Sequence, residues 1–231
     1  MPDDLVEQLI EREDYTAAAD RLESLLAKKE DPGLRMRLGT CAYRQGKFSD
    51  ALVHARRCAE EESAHRADAL MMAGFCLKSL KRYREASRFY LEFAEKYAVD
   101  TRGRIARFSA ALCLEELDDW PGAVAIYQQL NDDEAEFRLA ICLERSGKPD
   151  EAAQIFEAFA AKYGDSPERL KVSFRLGSMR LRQGRFDEAT RHLQYVLEHG
   201  KDTFIGSMAA QLIKRARVKQ TETARKLKKY S

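Results

Sequence analysis

A sixteen-residue phrase that occurs twice constrains this chain more than any other feature of its sequence. RLGTCAYRQGKFSDAL spans residues 37–52 and RLGSMRLRQGRFDEAT spans residues 175–190, with half of the positions identical. Recurrence of one phrase within a chain is typical of architectures in which a small structural unit is repeated and stacked on its neighbours. Further and more diverged copies are therefore expected elsewhere in the sequence.

The phrase has a register of four positions that returns along the chain. A small residue is followed after seven positions by a turn residue, after two more by an aromatic residue and after three more by alanine. The full register is found in Gly39/Gly46/Phe48/Ala51, Gly74/Lys81/Tyr83/Ala86, Ala111/Asp118/Trp120/Ala123, Ala140/Gly147/Pro149/Ala152 and Gly177/Gly184/Phe186/Ala189, with a partial copy at Tyr15 and Ala18. Proline takes the aromatic position once. The register predicts six copies.

Each copy has the pattern of two helices joined by a short turn. Apolar residues at helical spacing precede the turn, and the second helix begins at the aromatic position. The predicted second helices are YTAAADRLESLL, FSDALVHARRCA, YREASRFYLEFA, WPGAVAIYQQL, PDEAAQIFEAFA and FDEATRHLQYVL. A small residue is needed where the two helices cross, because a larger one would push their axes beyond about 8–10 Å.

This register resembles the tetratricopeptide repeat, whose hairpin has a small residue at its eighth position, an aromatic at its seventeenth and alanine at its twentieth. The stretches FYLEFAEKY and IFEAFAAKYGDSP are similar to the repeats of bacterial envelope-assembly proteins. The resemblance implies an all-α, right-handed superhelical solenoid of six hairpins over residues 1–200. Residues 201–231 are then expected to form a capping helix, with Phe204, Met208, Leu212 and Ile213 on its inner face, and a basic tail.

The resemblance also implies that the first helix of each hairpin lines a concave groove through positions 2, 5, 6, 9, 12 and 13. Position 5 is apolar throughout, and position 9 is mostly so. The Lys and Asn that grip a terminal carboxylate in some relatives are not at these positions. The predicted partner-binding groove consists of Met36, Tyr43, Met71, Phe75, Phe108, Leu112, Phe137, Arg138, Ile141, Phe174 and Arg175.

Apolar residues in such a groove would bind a helix or an apolar peptide of another protein. A second interpretation is that position 5 packs within the chain, which would leave the stripe covered. Arginines beside the stripe, Arg37, Arg138, Arg145, Arg175 and Arg182, would suit acidic residues on a ligand, although scattered helical arginines are commonly only solvated. The sequence leaves these alternatives open.

The last part of the chain is strongly basic. The predicted tail comprises Lys214, Arg215, Arg217, Lys219, Arg225, Lys226, Lys228 and Lys229. It suits a solvated helix end, contact with nucleic acid or anionic lipid, or an acidic protein partner. Nucleic acid is disfavoured because no aromatic residue between Phe204 and Tyr230 could stack on bases. A purely structural, self-associating subunit is another possibility.

Nothing in the sequence indicates catalysis, a metal site or a cofactor. No phosphate-binding, nucleophile or metal-ligand motif is found, and the odd number of cysteines argues against a disulfide framework. Cys41, Cys76, Cys113 and Cys142 occupy one equivalent position in four repeats, which predicts small buried core residues, as for Cys58. With no apolar run long enough to span a membrane and an acidic start, we expect a cytoplasmic, non-enzymatic adaptor or scaffold.

Overall fold

In the computed structural model of the protein, residues 2–164 and 166–230 are described, and in these residues the chain forms thirteen α-helices and no β-strand. The helices are α1 (Pro2–Glu11), α2 (Tyr15–Leu26), α3 (Pro32–Arg44), α4 (Phe48–Glu60), α5 (Arg66–Ser79), α6 (Tyr83–Lys96), α7 (Gly103–Glu115), α8 (Trp120–Tyr127), α9 (Asp133–Arg145), α10 (Pro149–Lys162), α11 (Arg169–Arg182), α12 (Phe186–Gly200) and α13 (Phe204–Tyr230). The side chains of residues 2, 3 and 227–230 lie outside the description.

The predicted hairpins are confirmed helix by helix. All six second helices, from α2 to α12, begin at the residue that the register gave, including Pro149 in the copy without an aromatic. Proline fits there because the first residue of a helix needs no amide hydrogen for the helical ladder and φ is already near the helical value. The fold class is therefore all-α, built from helix–turn–helix repeats.

The turn within each hairpin has the same geometry in all six copies. The turn residue, the second position of the register, is in the left-handed region of φ, at +74° in Gly46, +81° in Gly147 and +76° in Gly184. Glu13, Lys81 and Asp118 adopt the same conformation with φ of 55–58°. The residue after each of them donates its amide to a carbonyl five positions earlier, as Lys47 does to Ala42 at 2.9 Å. This is the Schellman arrangement, which ends the first helix and satisfies its last carbonyls.

Close crossing of the two helices explains the small residue of the register. A Cβ added to Gly74 in α5 would lie 2.6 Å from the ring of Tyr90 in α6. One added to Gly177 in α11 would lie 2.5 Å from Leu193 in α12. Both partners are fully buried. Each hairpin is thus held by direct packing of a large side chain against bare backbone.

The chain divides into two compact units, Met1–Ile126 and Tyr127–Ser231. In unit 1 the largest fully buried side chains include Leu22, Leu70, Tyr90 and Phe93. In unit 2 the corresponding side chains are Tyr127, Phe156, Phe159, Leu176 and Leu193. The predicted division at residue 200 separates repeats from the last helix and stays a prediction.

Helix α13 packs against α12 and α11, but with a different face from the one expected. Ala209, Ile213 and Ala216 are buried, whereas Phe204 is 79% and Met208 37% exposed. The inner face therefore follows the small residues, since Gly206 approaches the backbone of Gly200 so closely that no Cβ would fit. The assignment of Phe204 and Met208 to the inner face was wrong, and Leu212 lies at its margin.

None of the described helices is both long enough and apolar enough to cross a membrane.

We predict that Lys81→Gly stabilises the protein, because glycine relieves the strain of a left-handed residue bearing a Cβ. The expected gain is about 0.5–1 kcal/mol in the free energy of unfolding. Gly46→Ala should cost about 1 kcal/mol for the converse reason, although an added Cβ there meets nothing within 4 Å. Urea denaturation followed by circular dichroism measures both.

Gly164→Ala is the matched control for these two variants. This glycine also has open space around its Cβ position, but its φ is not positive. Its substitution should leave stability nearly unchanged. Equal effects of Gly46→Ala and Gly164→Ala would show that the turn conformation carries no energetic weight.

Candidate functional site

A recess in unit 2 combines an apolar floor with charged walls. It has a volume of about 400 Å³ and is lined by residues of α9, α11 and α13. Phe137, Phe174 and Ile205 supply the apolar surface, and Ser178 lies beside them. Phe174 and Ile205 also pack against the buried cluster of Leu193 and Val196, which fixes their positions. We call this cavity the α9–α11 recess.

One carboxylate is shared by two arginines at the wall of the α9–α11 recess. Glu144 accepts a hydrogen bond from Arg175 Nη1 at 2.8 Å through Oε2, and one from Arg182 Nη2 at 2.9 Å through Oε1. Two positive charges and one negative charge leave an excess of one positive charge in this cluster. The Arg182 side chain is 67% exposed, whereas that of Glu144 is 20% exposed.

Lys171, one turn before Arg175 on α11, also lines the α9–α11 recess. Its Nζ lies 5.8 Å from the centre of the Phe137 ring and 2.8 Å from Glu168 Oε2. A cation above a ring makes the aromatic surface part of an electropositive site. A second recess of about 620 Å³ shares Glu144, Arg175 and Arg182 with the first. The arginine pair therefore stands between two open cavities along α9 and α11.

The predicted groove residues of unit 2 separate into covered and accessible ones. Phe137 is only 8% exposed and lies near the rings of Phe156 and Phe159, with centroids 6.1 and 6.4 Å apart. Phe174, Ile141, Arg138 and Arg175 are half-buried. The recess brings together Phe137, Phe174 and Arg175 but not Ile141 or Arg138.

In unit 1, the position-5 residues are packed into the protein. Met36, Met71 and Phe108 are 7%, 5% and 8% exposed. Position 5 therefore faces the chain's own helices more than solvent in this unit, so the packing interpretation holds for these three side chains. Phe75 remains 39% exposed, and Tyr43 and Leu112 are half-buried.

A recess in unit 1 has a different chemical character. Its volume is about 580 Å³, and Met36, Thr40 and Met72 line it together with Asp31, Asp68, His65 and Arg37. Asp68 is held by Arg102 at 2.6 Å. The polar lining here includes the carboxylates of Asp31 and Asp68, whereas the α9–α11 recess is lined by two phenylalanine rings and two arginines.

Five lining residues of the α9–α11 recess were absent from the predicted groove: Glu144, Lys171, Ser178, Arg182 and Ile205. Lys171 and Glu144 are at positions 2 and 12 of their repeats, which the repeat pattern assigns to the concave surface. Lys171 and Glu144 could therefore have been predicted from the repeat pattern. Ile205 is on α13, which lies outside the repeats, so the repeat pattern could not have predicted it.

The basic tail is helical to Tyr230. Lys214, Arg215, Arg217, Lys219, Arg225 and Lys226 are all exposed. The side chains of Lys228 and Lys229 lie outside the described residues.

The five cysteines are free and fully buried, so their assignment as core residues is confirmed. Burial raises the pKa of the Cys76 and Cys113 thiols to about 11. The pKa of Cys58 rises to about 11 for the same reason, with Glu61 adding to it. Among the described side chains, no group of three or more His, Cys, Asp or Glu residues could hold a metal ion.

Helix–turn–helix units repeated along the chain define a helical-repeat protein. Models of the tetratricopeptide repeat match residues 4–64 and 137–202, and another matches residues 106–133. These matches cover more than half of the sequence, so the chain belongs to the tetratricopeptide repeat family. Proteins of this family are generally non-enzymatic.

Solved structures of the same fold are similar to this chain at low identity. The C-terminal part of a repeat protein from Cytophaga hutchinsonii shares 15% identity, with a TM-score of 0.66 over 84% of this chain and 77% of its own. YrrB, described as a TPR protein with an unusual peptide-binding site, shares 20% identity, with a TM-score of 0.62 over 84% and 99% of the two chains.

MamA from Desulfovibrio magneticus shares 16% identity, with a TM-score of 0.57 over 71% of this chain and 96% of its own. A comparison with curated protein sequences finds no match. The structural similarities establish the fold.

We predict that the cysteine thiols of the folded protein are unreactive at pH 8. Burial raises the pKa of Cys41, Cys58, Cys76 and Cys113, so little thiolate forms there, and the reagent has no access to any of the five buried thiols. Ellman's reagent should label no thiol before unfolding and all five in guanidinium chloride. Rapid labelling of folded protein, with its helical circular dichroism intact, would contradict the buried assignment.

We also predict that Phe137→Ala destabilises unit 2 by about 3 kcal/mol, because it opens a cavity beside Phe156 and Phe159. Phe204→Ala removes the same side chain from a site that is 79% exposed, and should change stability by less than about 0.5 kcal/mol. Urea denaturation compares the two variants. Equal destabilisation would mean that Phe137 is not a packing residue.

Proposed function

We propose that this protein is an interaction scaffold that binds a segment of a partner protein in the α9–α11 recess. The segment carries an apolar side chain with an acidic residue close to it. The observation that supports this proposal is the direct apposition of Phe174 and Ile205 to the Glu144–Arg175–Arg182 cluster.

The apolar floor supplies most of the binding free energy. Removing apolar surface from water stabilises a complex by roughly 25 cal/mol per Å². The half-buried Phe174 and Ile205 offer such surface while remaining anchored in the core of unit 2. A partner side chain of the size of leucine or phenylalanine suits a cavity of about 400 Å³. Because these floor residues are already held by packing, their side chains lose little conformational entropy when a partner binds.

The charged wall supplies selectivity. An exposed ion pair contributes only about 0–1 kcal/mol, so an acidic residue alone would not give stable binding. Arg182 is accessible and can donate hydrogen bonds to a second carboxylate beside Glu144. Placement of opposite charges chooses among partners and accelerates their encounter more than it raises affinity. A basic partner segment would meet like charges here and be rejected.

The fold provides a precedent for this mode of action. YrrB, which is similar to this chain over most of its length, is described as having a peptide-binding site. Recognition of a helix or an extended segment in a surface groove is a common use of helical scaffolds. From this similarity we take only the class of ligand, a peptide segment, and not its identity.

Selection from a random peptide display library against the immobilised full-length chain tests this proposal. We expect enrichment of peptides with a large apolar residue close to Asp or Glu. Binding of an enriched peptide, measured by fluorescence anisotropy, should weaken at least tenfold in Ile205→Glu and in the double variant Arg175→Glu with Arg182→Glu.

Arg191→Glu is the matched control, because it changes the same charge at an exposed position of α12 that lines none of the recesses described. It should leave peptide affinity unchanged. Enriched peptides without acidic residues, or unaltered affinity in the recess variants, would overturn the assignment.

A further inference from the structure

One face of α13 is left uncovered by the rest of the described chain. Phe204 is 79%, Val218 58% and Met208 37% exposed, although the other face of this helix is packed. Phe204 and Met208 are one helical turn apart, and Arg215 and Lys219 continue the same stripe at helical spacing. We call this stripe the outer face of α13.

The outer face is strongly basic. The α13 sequence contains eight Lys or Arg residues and the single acidic residue Glu222. Arg215 and Lys219 are exposed, and no described carboxylate lies within ion-pairing distance of either. Elsewhere in unit 2, Arg175, Arg182 and Arg185 all have acidic partners. The face therefore carries apolar surface and uncompensated positive charge together.

The opposite character is found on α1. Its sequence, PDDLVEQLIE, contains four carboxylates and no basic residue. Val6 is buried, and Leu9 and Ile10 pack against the same core cluster, so the helix turns its other side outward. Asp4, Gln8 and Glu11 are exposed at helical spacing, and Leu5 beside them is 48% exposed. We call this stripe the outer face of α1.

We propose that copies of this chain associate head to tail, the outer face of α13 in one copy packing against the outer face of α1 in the next. Leu5 packs against Phe204 and Met208, Glu11 lies opposite Arg215, and Asp4 adds to the negative charge of the α1 face that meets the basic stripe of α13. The contact removes exposed apolar surface on both helices and pairs charges that have no partner in the single chain.

Charge selects this arrangement over a symmetric one. Two α13 helices brought face to face would oppose Arg215 and Lys219 of one copy to the same residues of the other, and two α1 helices would oppose carboxylates. A contact between two different surfaces is heterologous, so each copy keeps one free α1 and one free α13. Such an assembly grows with concentration unless it closes into a ring. Screening of the charges by salt should weaken it.

Sedimentation velocity of the full-length chain at increasing concentration tests the proposal. The mass of the wild-type chain should rise above 26.4 kDa with concentration and fall back in high salt. Arg215→Glu with Lys219→Glu should remain monomeric, as should Asp4→Lys with Glu11→Lys, each with association weakened at least tenfold. All four side chains are exposed, so helical circular dichroism should not change.

Two further samples separate head-to-tail packing from other uses of the basic face. A chain carrying all four substitutions should regain association, because the charges are again complementary. An equimolar mixture of the two monomeric variants should also associate, because the α1 face of each variant is then complementary in charge to the α13 face of the other.

The proposal is overturned if the wild-type chain stays monomeric, or if the four-substitution chain does not regain association. Binding of the monomeric wild-type chain to vesicles containing phosphatidylglycerol, lost in Arg215→Glu with Lys219→Glu, would assign the face to an anionic membrane instead.

Discussion

Contact between a bare backbone and a large side chain at the centre of each hairpin is the constraint on which the rest of the structure depends. Gly74 against Tyr90 and Gly177 against Leu193 bring the helix axes together, and the left-handed turn residue fixes where the chain reverses. The remaining side chains of the first helix can then project to the other side. Recesses such as that between α9 and α11 are a consequence of this tight pairing.

The hairpins were predictable because their signals are local. A turn residue in the left-handed region, a small residue seven positions before it and an aromatic or proline two after it are all visible in one short stretch. Burial was less predictable, because a residue at position 5 lies between the groove and its own second helix. Phe137 packs on Phe156 and Phe159, so its size serves the core as well as the recess.

The last helix shows why the apolar pattern alone is insufficient. Phe204, Met208 and Leu212 form a plausible inner stripe by spacing, yet Gly206, Ala209 and Ala216 face α12. Small residues permit closer helix packing than large ones, and the surrounding helices decide which stripe is covered. Those surroundings are tertiary information that a single helix does not contain. The position of Ile205 in the lining of the α9–α11 recess is likewise set by the surrounding helices.

Because Glu144 is shared between two guanidinium groups, the recess should bind purely anionic ligands only weakly. In the free protein this carboxylate already occupies donors that an incoming anion would seek, so a polyanion without apolar groups exchanges one carboxylate contact for another and gains little. The Glu144 carboxylate therefore competes with an incoming anion for the hydrogen-bond donors of Arg175 and Arg182. Indiscriminate capture of charged polymers is suppressed, while ligands that also cover Phe174 retain an advantage.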